Sequence, residues 1–197
     1  ETAVRVRVRA LGAEDAGEIK LRVQGPQDAW KLTFVSAIDG SVQYCGVREP
    51  TAPAGRPGLV LTLHGAAVEG IGQAAAYASK PDLGIVAPTN RRPFGFDWED
   101  WGRLDACEVL AEAARRLPHD PARAYLTGHS MGGHGTWHLA CTFPDRFAAA
   151  APSAGWISFS SYAGGTVPDG LSPCEELFVR ATSPSDIPAA NRSDQKG

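Results

Sequence analysis

The chain has 197 residues, 43 % hydrophobic and 21 % charged, which is ordinary globular usage; disorder is not the default reading, and there is room for one core or a core with a small appendage. With 19 basic and 22 acidic residues the formal charge is -3, which excludes an electrostatic case for a nucleic-acid or anionic-membrane surface. No apolar run reaches the length that spans a bilayer, and ETAVRVRVRA at the N-terminus lacks the charged-then-apolar layout of a signal peptide, so a leader is either absent or already removed.

Residues 3–9, AVRVRVR, alternate strictly and read as a half-exposed strand. Basic residues alternating with valine could also form a phosphate-binding ribbon, but an edge strand kept soluble by arginine is the plainer reading. EIKLRV (18–23) and WKLTFVSA (30–37) are further strand candidates, and IDGSVQYCGVRE (38–49) opens on an Asp-Gly turn and continues as a strand. After the Pro/Gly loop TAPAGRPG (51–58) the pattern changes. LVLTLH (59–64), LGIVAP (83–88), AYLTG (124–128) and FAAAAPSAG (147–155) are continuous apolar runs, as expected of strands covered on both faces.

Helical segments separate these runs. In RLDACEVLAEAARRL (103–117), Leu104, Cys107, Leu110, Ala114 and Leu117 form one stripe, with Asp105 near the start and Arg115 and Arg116 near the end, as the helix dipole favours. Residues 131–143 form the next helix, stopped by Pro144. The alternation predicts an α/β fold with a doubly wound, mostly parallel sheet, incomplete at its C-terminal end and preceded by antiparallel strands. The expected division is a β-strand segment at 1–37 (the start of the sheet or the tail of a preceding β domain), an α/β core at 38–157, and an irregular, cap-like or frayed tail at 158–197, where ELFVRA (176–181) is the one short apolar piece. Cys45, Cys107, Cys141 and Cys174 are too far apart for a zinc cluster and read as buried thiols, which leaves the compartment open.

Gly128-His129-Ser130-Met131-Gly132 fits G-x-S-x-G, a weak signal by itself in a chain with 22 glycines. Its context makes it specific: an apolar strand leads into it and a helix leads out, as a nucleophile elbow requires. Such a serine occupies a strained turn, so Gly128 and Gly132 must carry no side chain. The elbow aims a helix N-terminus at the reacting carbonyl, with the Met131 N–H as one oxyanion donor. The second donor should come from the loop after an earlier buried strand. His64-Gly65-Ala66 stands there, with the Ala66 N–H as candidate, Gly65 allowing close approach and His64 supporting the loop. The loop RRPFGFDWEDW (91–101) follows a strand at its carboxyl end, so Phe94, Phe96, Trp98 and Trp101 either line a substrate pocket or pack over the sheet.

Competing readings fit less well. A P-loop needs Gly-Lys-Ser/Thr, and the glycine-rich stretch at 125–137 has no lysine; Gly133-His134-Gly135 begins a dinucleotide fingerprint that Trp137 and His138 do not complete. His134 and His138 are spaced like zinc ligands in H-E-x-x-H, but Gly135 replaces the glutamate and no third ligand is evident, so the expectation is no metal and no cofactor. His129 reads as packing or orienting the turn.

The stretches LTLHGA (61–66), IVAPTNRRPFGFDWEDWGRLDA (85–106), DPARAYLTGHSMGGHGTWHLA (120–140) and FPDRFAAAAPSAG (143–155) resemble α/β-hydrolase serine esterases and peptidases of the prolyl oligopeptidase type, including depolymerase-like esterases. The resemblance implies a Ser–Asp–His triad in that chain order, with Ser130 as nucleophile. It slightly favours a secreted or periplasmic location. The acid and base do not carry over. No histidine follows His138, and Asp169, Asp186 and Asp194 follow no recognisable buried strand. The expectation is therefore a hydrolase truncated before its triad Asp and His, acting on a small-molecule ester or peptide, with hydrolysis and transfer to another acceptor both open. A non-catalytic module of the same fold is the alternative; the oligomeric state is not legible.

Overall fold

The computed structural model describes residues 2–21, 23–53, 55–95, 97–157 and 169–174. In chain order these form β1 (Thr2–Ala10), β2 (Ala13–Leu21), β3 (Trp30–Val35), β4 (Val42–Arg48), β5 (Gly58–Leu63), α1 (Gly70–Ala76), β6 (Leu83–Ala87), α2 (Asp100–Arg116), β7 (Ala124–His129), α3 (Met131–Thr142) and β8 (Ala149–Ser153).

β1 and β2 pair antiparallel as a two-stranded sheet of their own. Their two-residue turn has positive φ at both Leu11 (52°) and Gly12 (81°), the twist that a tight hairpin demands. Val4, Val8, Ile19 and Leu21 share one face and are 38–59 % exposed. The strand expected to be half-exposed is thus open on both faces among the described residues. Alternation encodes two distinct faces but not the presence of a second layer.

The main sheet has six strands in the order β3-β4-β6-β5-β7-β8. β4 runs antiparallel to both its neighbours, β3 and β6, and β6, β5, β7 and β8 run parallel, so the expected mixed, mostly parallel sheet is present. At its edge β3 alternates, burying Leu32 and Phe34, while central β5 buries Leu59, Leu61 and Leu63 on one face against α2 and α3. On the opposite face, Thr62 of β5 is hydrogen-bonded to Tyr77 (2.9 Å) and to Gln73 of α1 (2.8 Å). The helices therefore cover both faces, as right-handed crossovers in opposite directions require.

α2 departs from the expected stripe. Its buried face is Gly102, Asp105, Ala106, Val109 and Ala113, while Leu104 is 42 % exposed. Small side chains let the helix lie close to the sheet, and Asp105 takes the place of a core residue because its carboxylate has a dedicated job. Its Oδ2 accepts the backbone N–H groups of Thr89 (3.0 Å) and Asn90 (2.9 Å), and its Oδ1 lies 3.2 Å from Arg91 Nε. Nor does Asp105 serve the helix dipole, since α2 starts five residues earlier at Asp100. The buried Arg91 side chain also meets Asp39 (3.3 Å) and Glu108 (3.1 Å), joining the loop after β6 to α2 and to the β3–β4 turn. The cysteine expectation needs correction as well. Cys45 alone is buried, its thiol pushed up to about 12 by desolvation; Cys107 is half-buried, and Cys141 and Cys174 are exposed, because sequence spacing does not report which face a thiol occupies.

Asp105→Ala leaves Arg91 buried and short of a carboxylate, so it should lower unfolding free energy by about 3 kcal/mol or more. Leu104→Ala should stay within about 0.5 kcal/mol of the parent. Urea titration of both variants checks the pair.

Candidate active site

The chain leaves β5 through α1 toward β6 and leaves β7 through α3 toward β8, in opposite directions along the sheet. The crevice between the carboxyl ends of β5 and β7 is therefore the topological switch point, where open α/β sheets bind ligands. Ser130 lies at this crevice. It joins β7 to α3 with φ 56° and ψ -118°, a strained conformation for a residue with a side chain. The turn is held from both sides: the Ser130 N–H donates to the Ser153 carbonyl (2.9 Å), and the Ser130 carbonyl accepts from the His134 N–H (3.0 Å). The first N–H groups of α3, from Met131 onward, have no carbonyl one turn earlier within the helix and face its N-terminal end.

Gly128 and Gly132 are where side chains cannot fit. A Cβ on Gly128 would lie 2.8 Å from the Leu63 carbonyl oxygen, and one on Gly132 would collide with the same carbonyl and reach 3.0 Å from that of His64. The serine turn thus rests directly on the backbone at the end of β5. That brings the His64-Gly65-Ala66 turn beside it: a Cβ on Gly65 would be 3.6 Å from Ser130 Cβ and 3.3 Å from the His129 carbonyl. Ala66 is exposed, and the turn is closed by Val68 N–H to the Gly65 carbonyl (3.3 Å) and Ala67 N–H to the Pro93 carbonyl (3.0 Å).

His64 is fully buried beneath this turn, with Nδ1 2.9 Å from the Gly65 carbonyl and Nε2 2.9 Å from the Thr89 carbonyl. Trp98 is also fully buried. Its indole N–H donates to the His64 carbonyl (3.0 Å), its ring meets the His64 ring edge-on at 4.8 Å, and it fills the space left by Gly135. Trp98 therefore packs beneath the turn and presents no surface to a ligand. Phe94 is 68 % exposed and Trp101 37 % exposed, whereas Phe96, ELFVRA (176–181), Asp186 and Asp194 lie outside the described residues. Asp169 sits in an exposed turn. A depression of about 240 Å³ opens beside Tyr44, Glu69, Thr89 and Pro93, on the β4 side of the 65–68 turn.

Among the described residues, none of the five histidines is hydrogen-bonded to the Ser130 hydroxyl. His129 Nδ1 is 3.2 Å from the Ser153 hydroxyl, and His119 Nδ1 is 3.1 Å from the Leu117 carbonyl. His134 is buried between the Trp156 carbonyl (3.0 Å) and Glu99 (3.0 Å), its ring stacked on that of Trp156. The bond from His134 holds the Glu99 carboxyl below its ordinary range, with burial opposing, while burial pushes Asp97 up. Burial holds His138 below its ordinary 6.5, and its Nε2 is enclosed without a hydrogen-bond partner among the described residues. No group of three or more His, Cys, Asp or Glu side chains there could hold a metal ion. Glu99 and the bracing role of Trp98 escape sequence reasoning, because each works on a residue about 35 positions away; only the glycine at 135 hinted at a large neighbour.

Gly132→Ala should cost several kcal/mol or prevent folding, as a Cβ there meets fixed backbone. Gly72→Ala, in α1 with nothing closer than 3.7 Å, should stabilise the protein, by about 0.5–1 kcal/mol. Thermal melts of both test the contrast. His138 makes a prediction of opposite sign to a salt bridge. The fold favours its neutral form, so the unfolded chain binds more protons below pH 6.5 and stability falls as pH drops through that window. His138→Phe should flatten the fall in stability as pH drops below 6.5, read from melts across the acidic range.

Residues 52–191 match a family model described as putative esterase. A secreted protein of Arthroderma benhamiae is 27 % identical over 148 residues, covering 62 % of this chain and 15 % of that protein. Poly(3-hydroxyalkanoate) depolymerase C of Paucimonas lemoignei is 33 % identical over 120 residues, 52 % of this chain and 28 % of the relative. The chain therefore spans less than a third of the length of either curated relative. Among solved structures, FphF, the fluorophosphonate-binding serine hydrolase F of Staphylococcus aureus, superposes with a TM-score of 0.58 at 20 % identity, covering 75 % of this chain and 64 % of that one, a likeness of fold. The sheet order and helix placement are those of the α/β-hydrolase fold, and by the match over residues 52–191 the chain belongs to the putative esterase family.

Proposed function

We propose that this chain carries the nucleophile and the oxyanion-binding half of a serine esterase that works through an acyl-enzyme on Ser130. The observation that carries the reading is the strained φ of 56° at a serine, held at the switch point with the Gly65 turn beside it. In the reaction Ser130 Oγ attacks the carbonyl carbon and gives its proton to a general base. The carbonyl electron pair moves onto oxygen, which accepts hydrogen bonds from the Met131 and Ala66 N–H groups. Collapse expels the alcohol, which takes up the proton, and water then releases the acid by the same steps. Such backbone donors are each worth about 3–4 kcal/mol of barrier.

The triad Asp and His come from polypeptide beyond the described residues, since the five histidines of the chain are engaged or placed elsewhere. Ester substrates are favoured over peptides by the family and by the relative named as a poly(3-hydroxyalkanoate) depolymerase, which brings hydroxyalkanoate esters into the substrate class. A prolyl oligopeptidase-type peptidase would use the same machinery on an amide. A secreted or periplasmic location agrees with the relative described as secreted. The second reading, a non-catalytic binding module, draws on one observation: no described histidine touches the Ser130 hydroxyl.

The two readings separate with an external base. Imidazole should accelerate fluorophosphonate labelling of the 197-residue chain in proportion to its concentration, with the label on Ser130 and none on Ser130→Ala. A chain with an unchanged circular dichroism spectrum that takes no label at saturating imidazole would establish the binding module instead.

A further inference from the structure

From the bonds beneath the serine turn we infer that His64 is a positioning residue, whose Nδ1–H sets the orientation of the Gly65–Ala66 peptide so that the Ala66 N–H faces the reacting oxygen. The inference rests on the esterase reading and adds to it the side chain that builds the second oxyanion donor.

The Gly65 carbonyl and the Ala66 N–H belong to one peptide plane. The bond is trans, so the two groups point in opposite directions and fixing one fixes the other. The Val68 N–H donates to the carbonyl at 3.3 Å, and His64 Nδ1 lies 2.9 Å from it and donates in the Nδ1–H tautomer that we assign. The imidazole is fully buried below the turn, so the Ala66 N–H is turned away from the core toward the exposed side, where Gly65 borders Ser130. Two hydrogen bonds on the carbonyl also polarise the amide and strengthen its N–H as a donor. The ring itself cannot swing. Its far nitrogen lies 2.9 Å from the Thr89 carbonyl, its ring edge rests on Trp98, and the Trp98 indole holds the His64 carbonyl one peptide earlier. A neutral imidazole donates from only one nitrogen, so it serves either the Gly65 carbonyl or the Thr89 carbonyl, and orienting the Ala66 N–H requires the Gly65 bond.

Asparagine and glutamine separate them. Asn places an amide N–H near the Nδ1 position and Gln places one near Nε2. Maximal labelling rate and half-saturating probe concentration are measured with a fluorophosphonate and imidazole on the folded 197-residue chain, with a melting temperature for each variant. His64→Leu should lower the maximal rate about 10- to 100-fold without moving the half-saturating concentration. His64→Asn should recover most of that rate, and His64→Gln, whose N–H meets the Thr89 carbonyl instead, should not. A parent chain that takes no label overturns the esterase reading and this inference with it. A parent that labels while the Asn and Gln variants react at one common rate, or with Gln the faster, overturns this inference alone.

Discussion

At the carboxyl edge of the sheet the backbone of one segment rests on the backbone of another, and the rest of the site depends on that contact. Gly132, in the first turn of α3, lies where any Cβ would meet the Leu63 carbonyl, and Gly128, at the end of β7, faces the same oxygen. The parallel register pairs Leu63 with Gly128, so the ends of β5 and β7 stand at one height and their loops must share one small space. Glycine is what makes the sharing possible. It is unfavourable in the helix, where each such residue is worse than alanine by about 1 kcal/mol. α3 carries Gly132, Gly133 and Gly135 in its first five residues, so its stability comes from close packing rather than propensity.

A second layer braces the first. The loop from Thr89 to Glu99 supplies the Pro93 carbonyl to Ala67 and the Trp98 indole to the His64 carbonyl, and its Thr89 carbonyl lies against the His64 ring. The loop is in turn fixed by Arg91 among Asp39, Asp105 and Glu108. Desolvating an arginine and three acids is expensive, and buried ion pairs often add little net stability. Their value here is geometric. Two backbone N–H groups on one Asp105 oxygen and a guanidinium on the other leave the chain after β6 a single path, and that path ends at Trp98.

The parts of this design that are local in sequence were legible there. β5 through β8 showed as apolar runs, α3 as the segment that Pro144 stops, and Ser130 as a serine between two glycines where a strand meets a helix. The parts made by long-range contact were not. The buried face of α2 follows Asp105 rather than the leucines, because a carboxylate that caps a distant loop can outweigh a hydrophobic stripe. Trp98 reads from sequence as one of four aromatics in a pocket-like loop, and only its bond to His64 distinguishes it from Phe94, which is exposed. Glu99 becomes meaningful through His134, on another element. The N-terminal valines announce a second layer that no described residue supplies.

On the proposed esterase reading, the same distinction between backbone and side chain explains how the oxyanion-binding half is built around Ser130. Hydrogen-bond donors on the main chain are placed by the fold itself, through strand register, a helix start and a peptide plane held from beneath. They lie within one continuous stretch from β5 to α3 and need little reorganisation when charge develops. A general base is a side chain of suitable pKa that must reach Oγ, so a segment other than the serine's own can deliver it. His129 adjoins the serine in sequence but meets the Ser153 hydroxyl, and His134 and His138 follow α3 away from the crevice toward Glu99 and Trp156. Proximity along the chain therefore works against a histidine here. The strained turn at Ser130 also directs its sequence neighbours elsewhere, and on the proposed reading a base for this serine comes from a different segment.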